Sequence, residues 1–206
     1  MVHLVDHPVA QDALLELRDA RTPPERFRQL ATRLSLILAT EALRDVPHRA
    51  HTVRTPLRPA AGRRLDADIV FVPVLRAGLG MLAGMLELVP NARVGHIGLQ
   101  RDEQTAEAAH YYAKLPSNLH DSFTLMIDPM LATGGSALAA LDLLARAGAR
   151  RVRLVCIVAA RDGVQLVEEH YPDIEIYTPA VDEELDARKF IVPGLGDFGD
   201  RLYGTI

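Results

Sequence analysis

Between Phe123 and Gly148 the chain commits to one supersecondary unit. Phe123-Thr-Leu-Met-Ile127 is an apolar run with the length of a buried strand. It ends at an acid and a proline, Asp128-Pro129, and continues through Met130-Leu131 into a small-residue loop, Ala132-Thr133-Gly134-Gly135-Ser136. Leu138, Leu141 and Leu144 then recur on one helical face, with Gly148 as the C-terminal stop. A strand, a Gly-rich loop and a helix in this order form a way to hold a phosphate. The backbone N–H groups of Gly134, Gly135 and Ser136 can point into one concavity, because glycine permits the dihedrals needed. The helix N-terminus adds unsatisfied N–H groups and partial positive charge. Thr133 and Ser136 add hydroxyl donors. Asp128 would repel a phosphate, so a carboxylate beside this cradle points to sugar hydroxyls or a magnesium ion. The stretch holds neither G-x-x-x-x-G-K-[ST] nor G-x-G-x-x-G, which sets aside the Walker and dinucleotide loops.

The rest of the chain repeats the alternation. Two helices come first, one over Val9 to Ala20 and one after Thr22-Pro-Pro-Glu25, a capping box with proline at the first helical position. Behind the box, Phe27, Leu30, Ala31, Leu34, Ile37, Leu38 and Ala42 recur at three and four. Charged loop sequence runs from Pro47 to Arg64. Strands are predicted at Ile69–Val74, Val94–Leu99, Phe123–Ile127, Val152–Val158 and Ile174–Tyr177. Helices are predicted at Leu79–Leu88, Ala137–Ala147 and Gly163–Tyr171. Alternating β and α implies an α/β fold, a parallel sheet flanked by helices with right-handed crossovers. Ligands in such sheets bind beyond the carboxyl ends of the strands. The polar segment Arg101 to Asp121 breaks the alternation and reads as a lid or as an insertion.

Length and composition exclude several classes. The 206 residues suit one domain, 1–206, and 49% hydrophobic with 24% charged residues is ordinary for a soluble globular chain. A net charge of -4, from 23 Lys plus Arg against 27 Asp plus Glu, gives no reason to expect nucleic acid as a partner. The single cysteine, Cys156, excludes a disulfide within the chain and suits a reducing cytoplasm. The N-terminus has no signal-peptide pattern, and no apolar run reaches membrane-spanning length.

Other residues invite chemistry and have a plainer reading beside it. Arg76 follows a strand and precedes Ala77-Gly78, where its fork could meet diphosphate oxygens or simply face solvent in a tight turn. Arg101 either closes a lid over a leaving group or is a solvated loop charge. Ile191 to Gly199 is Gly-rich with almost no side-chain donors, which suits main-chain recognition of a planar base, or a plain C-terminal loop. His48, His51 and His110-Tyr111-Tyr112 lack partners at metal-ligand spacing and read as solvated loop residues. Glu183, Glu184 and Asp186 read as a solvated acidic turn.

Three stretches together resemble uracil phosphoribosyltransferases, of the type I phosphoribosyltransferase superfamily. Asp128-Pro-Met-Leu-Ala-Thr-Gly-Gly-Ser136 is similar to the family's phosphoribosyl-diphosphate loop, with Pro129 where other superfamily members carry a second acid. Val72-Pro-Val-Leu-Arg-Ala-Gly-Leu-Gly-Met81 resembles its diphosphate-side loop. Ile191-Val-Pro-Gly-Leu-Gly-Asp-Phe-Gly-Asp-Arg-Leu-Tyr-Gly-Thr205 resembles its uracil-binding C-terminus. The resemblance covers nearly the whole chain. It implies the phosphoribosyltransferase fold with N-terminal helices, a flexible lid hairpin and a C-terminal hood over the base. It implies the reaction of uracil with 5-phospho-α-D-ribose 1-diphosphate (PRPP) to UMP and diphosphate, a step of pyrimidine salvage.

The resemblance also assigns residues. Arg76, Arg101 and Asp128 are the expected catalytic residues. PRPP is expected on these three, on Pro129, Met130, Leu131, Ala132, Thr133, Gly134, Gly135 and Ser136, and on Asp197. Uracil is expected on Ile191, Gly196, Asp197 and Phe198, and cytosine, lacking N3–H, would leave paired groups unsatisfied. Mg²⁺ arrives with PRPP, with Asp197 as its metal contact. A homodimer or homotetramer is expected, with GTP as an effector to test. The chain departs from the family at Ala160-Arg-Asp-Gly163, often Ala-Pro-Glu-Gly, and at Asp186, Lys189, Phe190 and Phe198, often Asn, Gly, Tyr and Ala. It also lacks the proline usual near His110. Two further readings are a phosphoribosyltransferase for another nucleobase, such as a purine, and a regulatory RNA-binding protein on the same scaffold. The second would need a basic face.

Overall fold

A computed structural model of the chain describes residues 1–101 and 108–205; the side chains at 100, 101 and 108–110 lie outside the described residues. In chain order the elements are β1 (Val2–Leu4), α1 (Pro8–Arg18), α2 (Pro24–Ala42), β2 (His48–Arg54), β3 (Pro59–Leu65), β4 (Ile69–Leu75), α3 (Leu79–Leu88), β5 (Arg93–Val94), β6 (His96–Arg101) and β7 (Ala108–Lys114). They continue with β8 (Phe123–Ile127), β9 (Met130–Leu131), α4 (Gly135–Arg146), β10 (Arg151–Val155), β11 (Val158–Ala160), α5 (Arg161–His170), β12 (Glu175–Thr178), β13 (Val181–Asp182), β14 (Glu184–Leu185), β15 (Ile191–Val192) and α6 (Phe198–Tyr203).

The main sheet runs β1-β12-β10-β8-β4-β6-β7, with β5 also on β4. Every pairing in it is parallel apart from β6 with β7. β4 is apolar along its whole length and β8 at every residue but Thr124, as suits strands covered on both faces. Period-2 alternation divides them. Ile69, Phe71, Leu125, Ile127 and Val155 join α1, α2 and α3 in one core layer. Val70, Val72, Met126, Leu154 and Ile176 join α4 in the other. A small parallel sheet, β13-β11-β9, extends the carboxyl-end side of the main one.

Four expectations need correction. Residues 47–64 are not loop: β2 and β3 form an antiparallel hairpin, closed by Thr55, whose hydroxyl donates to the Arg58 carbonyl. Its residues are almost all exposed, so burial left no alternating apolar pattern to read. The capping box does not form. Pro24 does open α2, but Pro23 is its N-cap, and the Thr22 hydroxyl donates to Glu16 O at 2.6 Å. The predicted strand at 152–158 is two strands, because Cys156 N–H turns to Tyr177 O and Ile157 N–H to Pro129 O. In the segment 101–121, β7 pairs with β6 as the expected hairpin, but Leu119 is wholly buried, so this polar stretch is not all lid or insertion and does reach the core. Residues 102–107, the middle of the expected lid, lie outside the described residues.

One arginine ties the N-terminal helices to the sheet. Arg153 on β10 is 7% exposed and donates to Ala42 O at the end of α2, to both Asp45 oxygens and to Glu175. Arg153→Met should lower the urea unfolding free energy by about 1–3 kcal/mol, less than for a fully buried pair because Asp45 is open to water. An unchanged midpoint would show that apolar packing alone seats these helices.

Candidate active site

β4 and β8 pair in parallel with Val72 beside Met126 and Pro73 beside Ile127, and β4 runs on to Leu75 beside β6, so the loops after both strands leave the same edge of the sheet. The loop after β4 carries Arg76, reached through a cis Leu75–Arg76 peptide. The loop after β8 carries Asp128 and leads through β9 to α4. A cleft of about 240 Å³ opens between them, lined among others by Arg76, Ala77, Asp128, Met130, Leu131, Ala132, Thr133, Gly134 and Ser136. The Arg76 side chain is exposed, and among the described residues no carboxylate lies within ion-pair distance of it.

The loop from 132 to 136 is shaped by steric limits. Gly134 caps α4 with φ +86°, a left-handed conformation that favours glycine. A Cβ there would also come within 3.0 Å of Gly163 O. Gly163, in the first turn of α5, sits closer still: its Cβ would be 2.4 Å from Ala132 O. A side chain at 163 would therefore push the loop off its course. The sequence reading missed this residue, although a glycine just inside a predicted helix start was a signal of close backbone approach. Of the two loop glycines expected to supply special dihedrals, Gly134 does and Gly135 does not. Gly135 is the first helical residue, has no positive φ, and a Cβ there would make only an ordinary contact, 3.9 Å from Thr133 Oγ1. Pro129 is buried, accepts from Ile157 and Val158 N–H, and lies behind the cleft wall.

Asp128 borders the cleft and is only partly exposed. Its Oδ1 receives a long contact from Met130 N–H, 3.4 Å. Burial pushes its carboxyl up to about 6, since that one bond does not replace lost water. Arg101 ends β6 on the neighbouring strand, and its side chain lies outside the described residues.

A second cavity of about 220 Å³ lies against the first. Ala77, Met130 and Ala132 border both, and Lys189, Phe190, Ile191, Gly196, Asp197, Phe198 and Gly199 complete the second. Its C-terminal wall includes two glycines, Gly196 and Gly199, where main chain alone borders the space. Ile191 is buried on β15, paired with Leu185. The Phe198 ring adds no surface for a ligand: it is 1% exposed and packs edge to face on Phe27 at 5.1 Å, because α6 turns it into the core. Asp197 is the N-cap of α6, with Oδ1 accepting from Asp200 N–H at 2.9 Å. The acidic turn before this wall is built rather than merely solvated. Asp186 Oδ1 accepts from Arg188 and Phe190 N–H, which holds Lys189 at φ +68°.

His48 and His51 lie on the exposed β2–β3 hairpin, and Tyr111 and Tyr112 are exposed on β7. Among the described residues no group of three or more His, Cys, Asp or Glu could hold a metal ion, and no helix is long and apolar enough to cross a membrane. Asp128 and Asp197 offer one carboxylate to each cavity. That donor set makes no all-protein cage, but it fits an Mg²⁺ that keeps its waters and arrives on a substrate's phosphates. Together the two cavities could hold a phosphate on main-chain N–H groups, a sugar at Asp128 and a planar group on the C-terminal wall.

Comparison with known proteins gives consistent likenesses. The model of the family described as uracil phosphoribosyltransferase matches residues 4–205. A protein of Symbiobacterium thermophilum named uracil phosphoribosyltransferase is 50% identical over 99% of this chain and 98% of its own. One of the same name from Dictyoglomus turgidum is 46% identical over the full length of both. A solved structure of an Aquifex aeolicus protein superposes with a TM-score of 0.93 at 39% identity, covering 98% of each chain. A hypoxanthine phosphoribosyltransferase of Staphylococcus aureus, 13% identical over 82% of this chain and 85% of its own, shares the fold with a TM-score of 0.53.

The burial of Asp128 has a testable cost. Its folded pKa lies above the unfolded value of 3.8, so folding favours the protonated form, and the ionised form weighs against the fold above about pH 6. Asp128→Asn should raise the unfolding free energy at pH 8 by roughly 1–3 kcal/mol. The gain should shrink as pH falls through 6 toward 4. Urea titrations at pH 8 and 4.5 check this; no gain at pH 8 would mean that water reaches the carboxylate.

Proposed function

The chain belongs to the uracil phosphoribosyltransferase family, and on that premise we propose that the paired cavities join uracil to the ribose of PRPP. The observation that supports this placement is the shared wall of Ala77, Met130 and Ala132. A phosphate on the 133–136 loop and a base on the C-terminal wall would then meet across one ribose. A single domain spanning 1–206 carries both.

The N–H groups at 134–136 and the N-terminus of α4 hold the 5′-phosphate, with the Thr133 and Ser136 hydroxyls beside them. Asp128 accepts from the ribose hydroxyls and orients the sugar. Arg76 forks onto the diphosphate from the opposite wall, and Arg101 reaches it from the β6–β7 hairpin. The main chain of Ile191 and of 196–198 pairs with the edge of uracil. The bond from C1′ to the diphosphate oxygen breaks and its electron pair leaves with the diphosphate. Uracil N1 bonds to the opposite face of the oxocarbenium-like C1′ and releases its proton, giving UMP with inverted configuration. No enzyme nucleophile is required. Catalysis is positioning plus stabilisation of the leaving charge. Mg²⁺, held through PRPP with Asp128 or Asp197 nearby, would add charge stabilisation at the diphosphate when bound. A homodimer or homotetramer, a cytoplasmic setting and a GTP effector complete the proposal.

Incubation with PRPP, Mg²⁺ and uracil, 5-fluorouracil, cytosine, adenine or hypoxanthine in turn tests it. UMP and 5-fluoro-UMP should form with stoichiometric diphosphate; preferred turnover of cytosine or a purine would overturn the base assignment. The pH profile adds an independent check. Asp128 accepts from the ribose hydroxyls far more strongly when ionised, so kcat/KM for PRPP should fall as pH drops through about 6. Asp128→Asn should be slow at every pH and lose that inflection.

A further inference from the structure

The wall assigned to uracil is not anchored by its own strand alone. Gly194 lies in the tight turn at Val192–Pro193, and both its backbone groups are engaged by one ion pair. Its N–H donates to Asp182 Oδ2 at 2.9 Å, and its carbonyl accepts from Arg18 Nη1 at 2.8 Å. Arg18 and Asp182 face each other fork to fork, at 2.7 and 2.8 Å. Asp182 is 8% exposed, so this pair is shielded from solvent screening. Arg18 is the last residue of α1, and Asp182 ends β13, the strand next to β11. The next residue is tied to the same helix end. Leu195 O accepts from Arg201 Nη1 at 2.7 Å, and that guanidinium also donates to Leu17 O and Asp19 O and lies over Phe27 at 4.6 Å. The backbone immediately before 196–198 is thus fixed in position and orientation by side chains from both ends of the chain.

We propose that Arg18 and Asp182 are positioning residues for base selection: they preset the main chain at Gly194, so that residues 196–198 meet uracil without rearranging. The inference rests on the reading that this wall takes the base. Recognition by main chain has no side chain to mutate, so its selectivity depends on how rigidly the backbone is held. A displacement of about 1 Å is enough to cost on the order of 100-fold in rate. Neither residue touches the 133–136 loop, so the PRPP half of the site should be spared.

Arg18→Met keeps the apolar stem and removes the fork, Asp182→Asn keeps the shape and removes the charge, and Arg18→Lys keeps the charge without the fork. Each is assayed for KM of uracil, KM of PRPP, kcat and the uracil-to-cytosine ratio of kcat/KM, with a melting temperature beside it. Arg18→Met and Asp182→Asn should lower kcat/KM for uracil about 10–100-fold, mainly through KM. KM for PRPP should stay within about twofold, the uracil-to-cytosine ratio should narrow, and Arg18→Lys should fall between. Folded variants with a lowered melting temperature but unchanged uracil KM and ratio would overturn the proposal and leave the pair a structural clamp. Should the variants not fold, amide exchange of the wild type decides. Gly194 N–H should be protected before uracil is added, and fast exchange that slows only with uracil would contradict a preset loop. A wild type that prefers another base would instead overturn the assignment of the wall.

Discussion

The parallel pairing of β4 with β8 at the centre of the sheet brings two strand ends to one edge, and the site depends on that register. Val72 beside Met126 and Pro73 beside Ile127 place the loops after Leu75 and Ile127 on the two sides of a cleft. A slip of one residue would turn every side chain of a strand to the opposite face. Burial on both faces forbids it, since Phe71 and Val72 serve different core layers. The packing that stabilises the domain also sets the spacing between Arg76 and Asp128.

Charge is divided sharply across this frame. The 132–136 loop has no basic side chain, so whatever it gives an anion comes from main-chain N–H groups and the end of α4. Arg76, the one arginine lining the cleft among the described residues, stands on the opposite wall and is exposed. The carboxyl between them is largely desolvated, which pushes it up to about 6. A group kept at such a cost suits the binding role proposed for it, since a neutral residue would serve the fold better.

The central sheet, the positions of the loops after β4 and β8 and the alternation of elements were legible because buried parallel strands and amphipathic helices write strong periodic signals. The helix Leu79–Leu88 was read to the residue, and Phe123–Ile127 likewise. The hairpin His48–Leu65 was lost because exposed strands carry no apolar alternation. Gly163 was lost because its demand comes from Ala132 O, 31 positions away in sequence. Phe198 sits in the base-wall motif, but only the path of α6 decides that its ring joins Phe27. Arg18 and Asp182 were invisible for the same reason: 164 residues separate two partners that look like ordinary surface charges. Local chemistry is readable from local sequence, and the residues that aim it are readable only after folding.

The central claim is that one ribose bridges the two cavities. A crystal structure of the enzyme with UMP tests it most directly. The account predicts the 5′-phosphate on the N–H groups of 134–136, the ribose hydroxyls on Asp128, and the uracil edge on the main chain of Ile191 and 196–198. A phosphate seated elsewhere, or a base lying outside the cavity bordered by Ile191 and Gly196, would contradict it.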